Sequence, residues 1–478
     1  MRRGSKAFVW ALTFLAMFRT PGWSQTGSTQ PRVDGETGGS VTQPVLEPDI
    51  PQTDPSSPIS DSDQPSVDSP IRISPSYVNA GVHLSGGAAA DSSGTGNSFQ
   101  VSPFSSILGS LSLQKPRSGS QTDINYVGGA TFNGSYGSSG AYVEQVHTLD
   151  VDHHIGWRKL QLVFENSFNY LRDGNFGSSS FGGASAYNLR FPGTGTGILA
   201  NPEASDYLGA TQMPLDYESF ITNVSAASLT EALTKRSSIS LGGSYSISDY
   251  SGSSQSLYND RQITAQVGYN YQLDRRDSIG VAYGYQRFLF TQAGVGIITT
   301  SSAQLVYRHR VRARLNLVLG AGPEVTKVTE TTGLNGQQLN ATAQASLQYS
   351  RYRYNLALSY DRLQTGGFGF LAGGNSNIYR LSVGREISRL WRVGIDGGYA
   401  TSASIEAVPL GVPWSSYDYG FASAAVQRQL GPRFSAFVSY QFNYETSPCA
   451  PASSCAAAFQ QHIASIGFDW NIRPIRLE

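Results

Sequence analysis

The chain has 478 residues, a formal net charge of zero, 14% charged residues, 52 Gly and 26 Tyr. Soluble domains carry about 25% charged residues, so this surface is charge-poor, and a balanced charge gives no reason to expect nucleic acid as a partner. Mean hydropathy is −0.24. Past the N-terminus no run of roughly 18 apolar residues exists, which excludes a helical membrane span but not a β-barrel, whose strands are half polar.

The N-terminus begins MRRGSKAFVWALTFLAMFRTPGWSQ. Arg2, Arg3 and Lys6 form a basic region, Ala7 to Phe18 an apolar core too short to span, and Gly22 and Ser24 suit cleavage before Gln25. Residues 1–24 therefore read as a secretory signal peptide. Residues 25–75 are rich in Pro, Ser, Thr and Asp, with eight acidic residues and one Arg between Gln25 and Pro70. Such a segment cannot bury enough apolar surface to offset its ordering entropy, and it reads as a disordered acidic linker. Residues 76–121 read as a lead-in segment: two extra strands, or a plug.

From residue 122 to 473 the pattern is period-two alternation, the mark of β-strands. Strands are expected at 123–132, 142–151, 159–170, 218–230, 237–248, 261–273, 277–289 and 297–309. Eight more are expected at 311–321, 339–350, 352–362, 376–387, 390–400, 416–428, 432–444 and 461–472. The connections alternate between short turns such as LTKRS, LDRRD and LGPR and longer Gly/Ser/Asn-rich loops such as NGSYGSSG and QTGGFGFLAGGNSN. A meander with short turns at one end and long loops at the other is how membrane barrels are built.

One face of these strands is oily, for example Ile239, Leu241, Tyr245 and Ile247. The other is small and uncharged, as in Ser238, Ser240, Gly242 and Ser244. Solvated faces of soluble sheets carry Lys and Glu, yet the chain has five Lys in all. The oily face is therefore assigned to lipid and the polar face to a wet lumen. Tyr271, Tyr307, Tyr349, Trp391 and Trp470 near the short turns suit one membrane interface. Tyr170, Tyr250, Phe290, Tyr360, Tyr399, Tyr417, Tyr444 and Phe459 near the long loops suit the other. The expected fold is all-β: a transmembrane antiparallel barrel of about 16 strands, or 18 if the lead-in contributes two.

Signal peptide, tether, alternating strands and the closing stretch QQHIASIGFDWNI together resemble bacterial outer-membrane β-barrel proteins of the porin-like type. These include the loosely defined porins that accompany exopolysaccharide loci. The resemblance implies an outer-membrane location, passive diffusion of small hydrophilic solutes, and assembly by the barrel-assembly machinery, which reads an aromatic residue at the chain end. Here Ala464, Ile466, Phe468, Trp470 and Ile472 have the right spacing, but Pro474 follows and Glu478 ends the chain. A component of exopolysaccharide export or assembly is the alternative function, and a rim-located enzyme the third. A homo-oligomer is compatible with either pore reading.

No residue set argues for catalysis, a cofactor or a metal. His462, at the outer end of the last strand, is the one candidate catalytic base, and a polar strand-end residue explains it better. Asp152, His153 and His154 read as adjacent turn residues without ligand spacing. By the alternation, Glu165, Arg353, Arg380, Arg392, Asp396 and Asp469 are pore-lining candidates, too mixed in sign for a strongly selective ring. The loop 172–216 is long enough to fold into the mouth and narrow the pore. Basic residues in the short turns suit anionic headgroups, or dock the acidic linker. Cys449 and Cys455, close together in an exported chain, are a disulfide candidate.

Overall fold

The computed structural model describes residues 76–93, 99–134, 142–171, 220–250, 259–290, 296–312, 314–329, 335–365, 373–405, 416–446 and 459–477. The signal peptide, the linker, the loop 172–216, Cys449 and Cys455 lie outside the described residues.

The first two strands are β1 (Ser76–Ser93) and β2 (Gln100–Arg117), so the lead-in contributes a hairpin and the barrel has eighteen long strands. Next come β3 (Ser120–Asn133), β4 (Tyr142–Gly156), β5 (Leu160–Leu171), β6 (Phe220–Ala232), β7 (Ser237–Tyr250), β8 (Asp260–Gln272) and β9 (Asp277–Phe290). The middle of the chain supplies β10 (Ile297–Arg312), β11 (Leu315–Thr329), β12 (Asn335–Arg351), β13 (Tyr354–Thr365) and β14 (Gly374–Glu386). The last strands are β15 (Trp391–Ser404), β16 (Ser416–Gln429), β17 (Phe434–Thr446), β18 (Phe459–Asn471) and the short β19 (Ile475–Leu477). All sixteen strands expected from residue 123 onward are present.

Each strand pairs antiparallel with its sequence neighbour, and β1 pairs with β18 from Gly81↔Asn471 to Ser93↔Phe459, which closes the sheet on itself. Pro474 interrupts the last strand without ending its pairing. Ile472 N–H donates to Ala80 C=O at 2.8 Å, and β19 then pairs with Ser76–Val78. Closure removes the edge strands on which open sheets aggregate and gives each strand a partner on both sides along most of its length. The seam requires small residues: a Cβ at Gly87 would strike the Ala464 carbonyl across it.

Connections at one end of the barrel are two to four residues long, from Ser118–Gly119 to Ile387–Leu390, and those at the other end are longer. In one of the two-residue turns Tyr352 takes a φ of 41°, the left-handed conformation that such a tight hairpin favours. The alternation also fixes the two faces. Val281, Leu305, Val438 and Ile466 are more than half exposed, while Thr131, Thr300, Thr326 and Ser376 are fully buried. In a closed barrel the buried polar face is the concave one. Oil points outward.

Candidate functional site: the lumen wall and its constriction

Along the short-turn end, Tyr271, Tyr307, Trp391 and Trp470 stand exposed on the outward face. Arginines lie over aromatic rings beside them: Arg385 over Tyr354 at 4.6 Å, Arg428 over Trp391 at 5.2 Å, and Arg314 over Tyr352 at 5.4 Å. A ring with one apolar edge and a cation on its face belongs where hydrocarbon meets headgroups. The outward face between this girdle and the long loops is largely aliphatic and aromatic, in a closed sheet with no edge. The chain is a membrane-spanning β-barrel.

The inward face of this barrel is polar and unevenly charged. On β3, β4 and β5, Asp123, Asp152 and Glu165 stand directly opposite one another across neighbouring strands. Glu144 and Asp150 share their face by the same alternation. No inward position of β1 to β9 carries Lys or Arg. Later strands carry inward arginines, among them Arg308 and Arg310 on β10, Arg380 on β14 and Arg392 on β15, and Arg362 on β13 lies near the buried carboxyl of Glu324.

The pore-lining candidates occupy different situations. Glu165 faces inward and is exposed on the acidic wall. Arg380 donates from Nη2 to Asp396 Oδ2 at 3.1 Å and from Nε to Oδ1 at 3.4 Å, a two-pronged pair between β14 and β15. Arg392 does not join them; it pairs with Glu386, directly opposite, at 3.2 Å. Asp469 is nearly buried at the closing seam, bonded to His83 Nδ1 at 2.7 Å and accepting from Ser435 at 3.2 Å and Gln427 at 3.3 Å. Ring stacking of His83 on Phe437, with centroids 4.9 Å apart, fills the space beside it. Arg353 lies in the turn between β12 and β13 and is exposed, so strand alternation does not govern its direction.

The histidines also separate. His462 faces outward and bonds to the Tyr440 hydroxyl at 2.7 Å. Asp152, His153 and His154 belong to strand β4 rather than a turn, so successive side chains point to opposite faces. His153 bonds to Thr122 at 2.8 Å. Among the described residues no group of three acidic, His or Cys side chains is arranged to hold a metal.

The lumen is narrowed by an element that the sequence reading missed. Pairing of β12 with β13 stops at Ala343↔Arg362, although β12 continues outward to Asn335. Beyond that point the upper ends of β13, β14 and β15 fold onto the inner face of β9 to β12. Gln364 Oε1 accepts from the hydroxyls of Thr300 and Thr326, the latter at 2.9 Å. Gln338 Nε2 donates to the Ile405 carbonyl at 2.9 Å. Ile405 packs with Phe288, Phe290, Ile298 and Val328 in a buried cluster. Gly373, with φ of +81°, lies against Ile298 and Ile405, where a Cβ would collide. Phe290 therefore faces this inner cluster and not the outer aromatic girdle. The one sequence signal was the glycine-rich character of 366–374, which read only as a loop.

No protein-family model and no curated protein matches the chain. Among solved structures it is similar to OccK2 (OpdF) of Pseudomonas aeruginosa, crystallised in complex with glucuronate, at 9% identity and a TM-score of 0.40. That match covers 83% of this chain and 98% of the other. OccAB1 of Acinetobacter baumannii matches at 10% identity and 0.39, over 83% and 97%. OpdQ of P. aeruginosa matches at 9% and 0.39, over 84% and 98%.

Proposed function

We propose that the protein is a porin-like outer-membrane channel for passive diffusion of small hydrophilic solutes, with a mild preference for cations. The observation that carries this reading is a closed eighteen-strand wall that is oily outside and polar inside. Barrels of 16–18 strands are wide enough to leave an aqueous path. The cation preference follows from the β3–β5 carboxylates, which have no Lys or Arg beside them on the inward faces of β1 to β9. Carboxylate-lined walls raise the local concentration of cations. Because Arg380 and Arg392 are engaged with Asp396 and Glu386, they offset this field little, while Arg308 and Arg310 on β10 oppose it and keep the preference mild. A non-catalytic role is supported by His462, whose ring is turned to the outer face.

Single-channel recording of the refolded protein in a planar bilayer tests the reading. Stable current steps are expected, with a reversal potential in a salt gradient that favours cations. Replacing Asp123, Asp150, Asp152 and Glu165 by their amides should move that potential toward zero. A correctly inserted protein that passes no current would refute the channel.

A further inference from the structure

The outward face of a membrane barrel is expected to be apolar up to headgroup level, and β8 to β12 keep to this until their long-loop ends. There Arg287 on β9 stands directly opposite Thr299 on β10, Thr299 opposite Lys327 on β11, and Lys327 opposite Gln337 on β12. Arg261 on β8 pairs with Leu289 and so sits diagonal to Arg287. All of these positions share the outward face with Tyr283 and Leu305, both at least half exposed. The cations span four strands, roughly 15 Å at about 4.8 Å per strand.

Their height is equally specific. Arg287 lies ten residues beyond Asp277, where β9 begins. At a rise of about 3.3 Å per residue and a tilt near 40°, that is roughly 25 Å above the short turns, the upper border of an apolar band of about that thickness. At the short-turn end three arginines, Arg314, Arg385 and Arg428, lie over aromatic rings. Among the described residues, by contrast, none of Arg261, Arg287 and Lys327 has an ion-pair partner. Among the described residues of the adjoining β7, the outward carboxylate is Asp249, diagonal to Arg261 on the side away from Arg287 and Lys327. The apolar stems of these side chains can lie along the wall below while their charged ends reach the headgroups.

We propose that Arg261, Arg287 and Lys327 form a docking site for a phosphate of the phosphorylated glycolipid in the outer leaflet, with Thr299 and Gln337 as further hydrogen-bonding groups. The site rests on the outer-membrane placement above. It commits to a lipid because the row faces the bilayer directly above half-exposed apolar side chains, where a soluble ligand has no approach.

The test is native mass spectrometry of the full chain in detergent, titrated with diphosphoryl lipid A, its dephosphorylated form and phosphatidylglycerol. The diphosphoryl lipid should bind preferentially to the wild type. The R261Q/R287Q/K327Q variant should bind it on the order of a hundredfold more weakly, whereas R261K/R287K should retain it. Unchanged binding by the glutamine variant, or equal binding of either of the other two lipids, overturns the site. Conductance of the same preparations separates the two readings. A protein with the lipid preference but no current keeps this site and loses the channel, and a conducting protein without the preference loses this site alone.

Discussion

Asp469 shows how one lumen-facing carboxylate can serve structure. Its partners His83, Ser435 and Gln427 come from β1, β17 and β16, so the residue ties four strands together at the closing seam. Replacing it with Ala leaves the buried Ser435 and the half-buried His83 and Gln427 without this partner, at up to about 1–3 kcal/mol for each group left unsatisfied. Asp469→Ala should therefore lower the urea midpoint of the barrel in micelles, and an unchanged midpoint would show that the seam does not depend on it. The alternation gave its inward direction but not this role. Direction is a local property of a strand, whereas the partners lie up to 386 residues away in sequence.

At the scale of the element, each strand divides its two faces between lipid and lumen. Val438 is more than half exposed on the outward face of β17, four residues beyond Phe434, where the strand begins. An Arg there must sit in hydrocarbon, so Val438→Arg should cost roughly 2–4 kcal/mol of unfolding free energy in a bilayer, while Val438→Leu should be near neutral. Equal stabilities for the two would mean that this face does not meet lipid. The same division explains what was legible. Strands such as β8, with Ile263, Val267 and Tyr269 against Thr264, Gln266 and Asn270, alternate strongly. β1 sets Ala80, Ala88 and Ala90 against Gly81, Gly87 and Ala89. From Ser85 to Ala90 both faces are small, so the period of two has little amplitude there, and a Cβ at Gly87 would strike the Ala464 carbonyl across the seam.

At the scale of the molecule, the pore is shaped by where the sheet departs from a simple cylinder. The upper ends of β13 to β15 are held inside by the Ile405 cluster and the Gln364 hydrogen bonds. Ile405→Ala combined with Gln364→Ala should loosen this element and raise single-channel conductance while leaving the barrel folded. Unchanged conductance would place the narrowest point elsewhere. The glycine-rich stretch beside it does not announce this packing, because the cluster joins residues 288 to 405 across strands that are not neighbours in the sheet.

The sequence by itself determined the fold class, sixteen of the eighteen strands, the direction of most side chains and the end of the barrel that carries the short turns. All of these follow from a two-residue period and local turn chemistry. Only the tertiary structure decided that β1 and β18 close the wall, that Arg380 holds Asp396 while Arg392 holds Glu386, and that the carboxylates of β3 to β5 stand side by side. It also decided that three strand ends fold inward and that three cations align on the outer rim. Each of these depends on register between strands and on the curvature of the closed sheet, which bring together residues that no local pattern links.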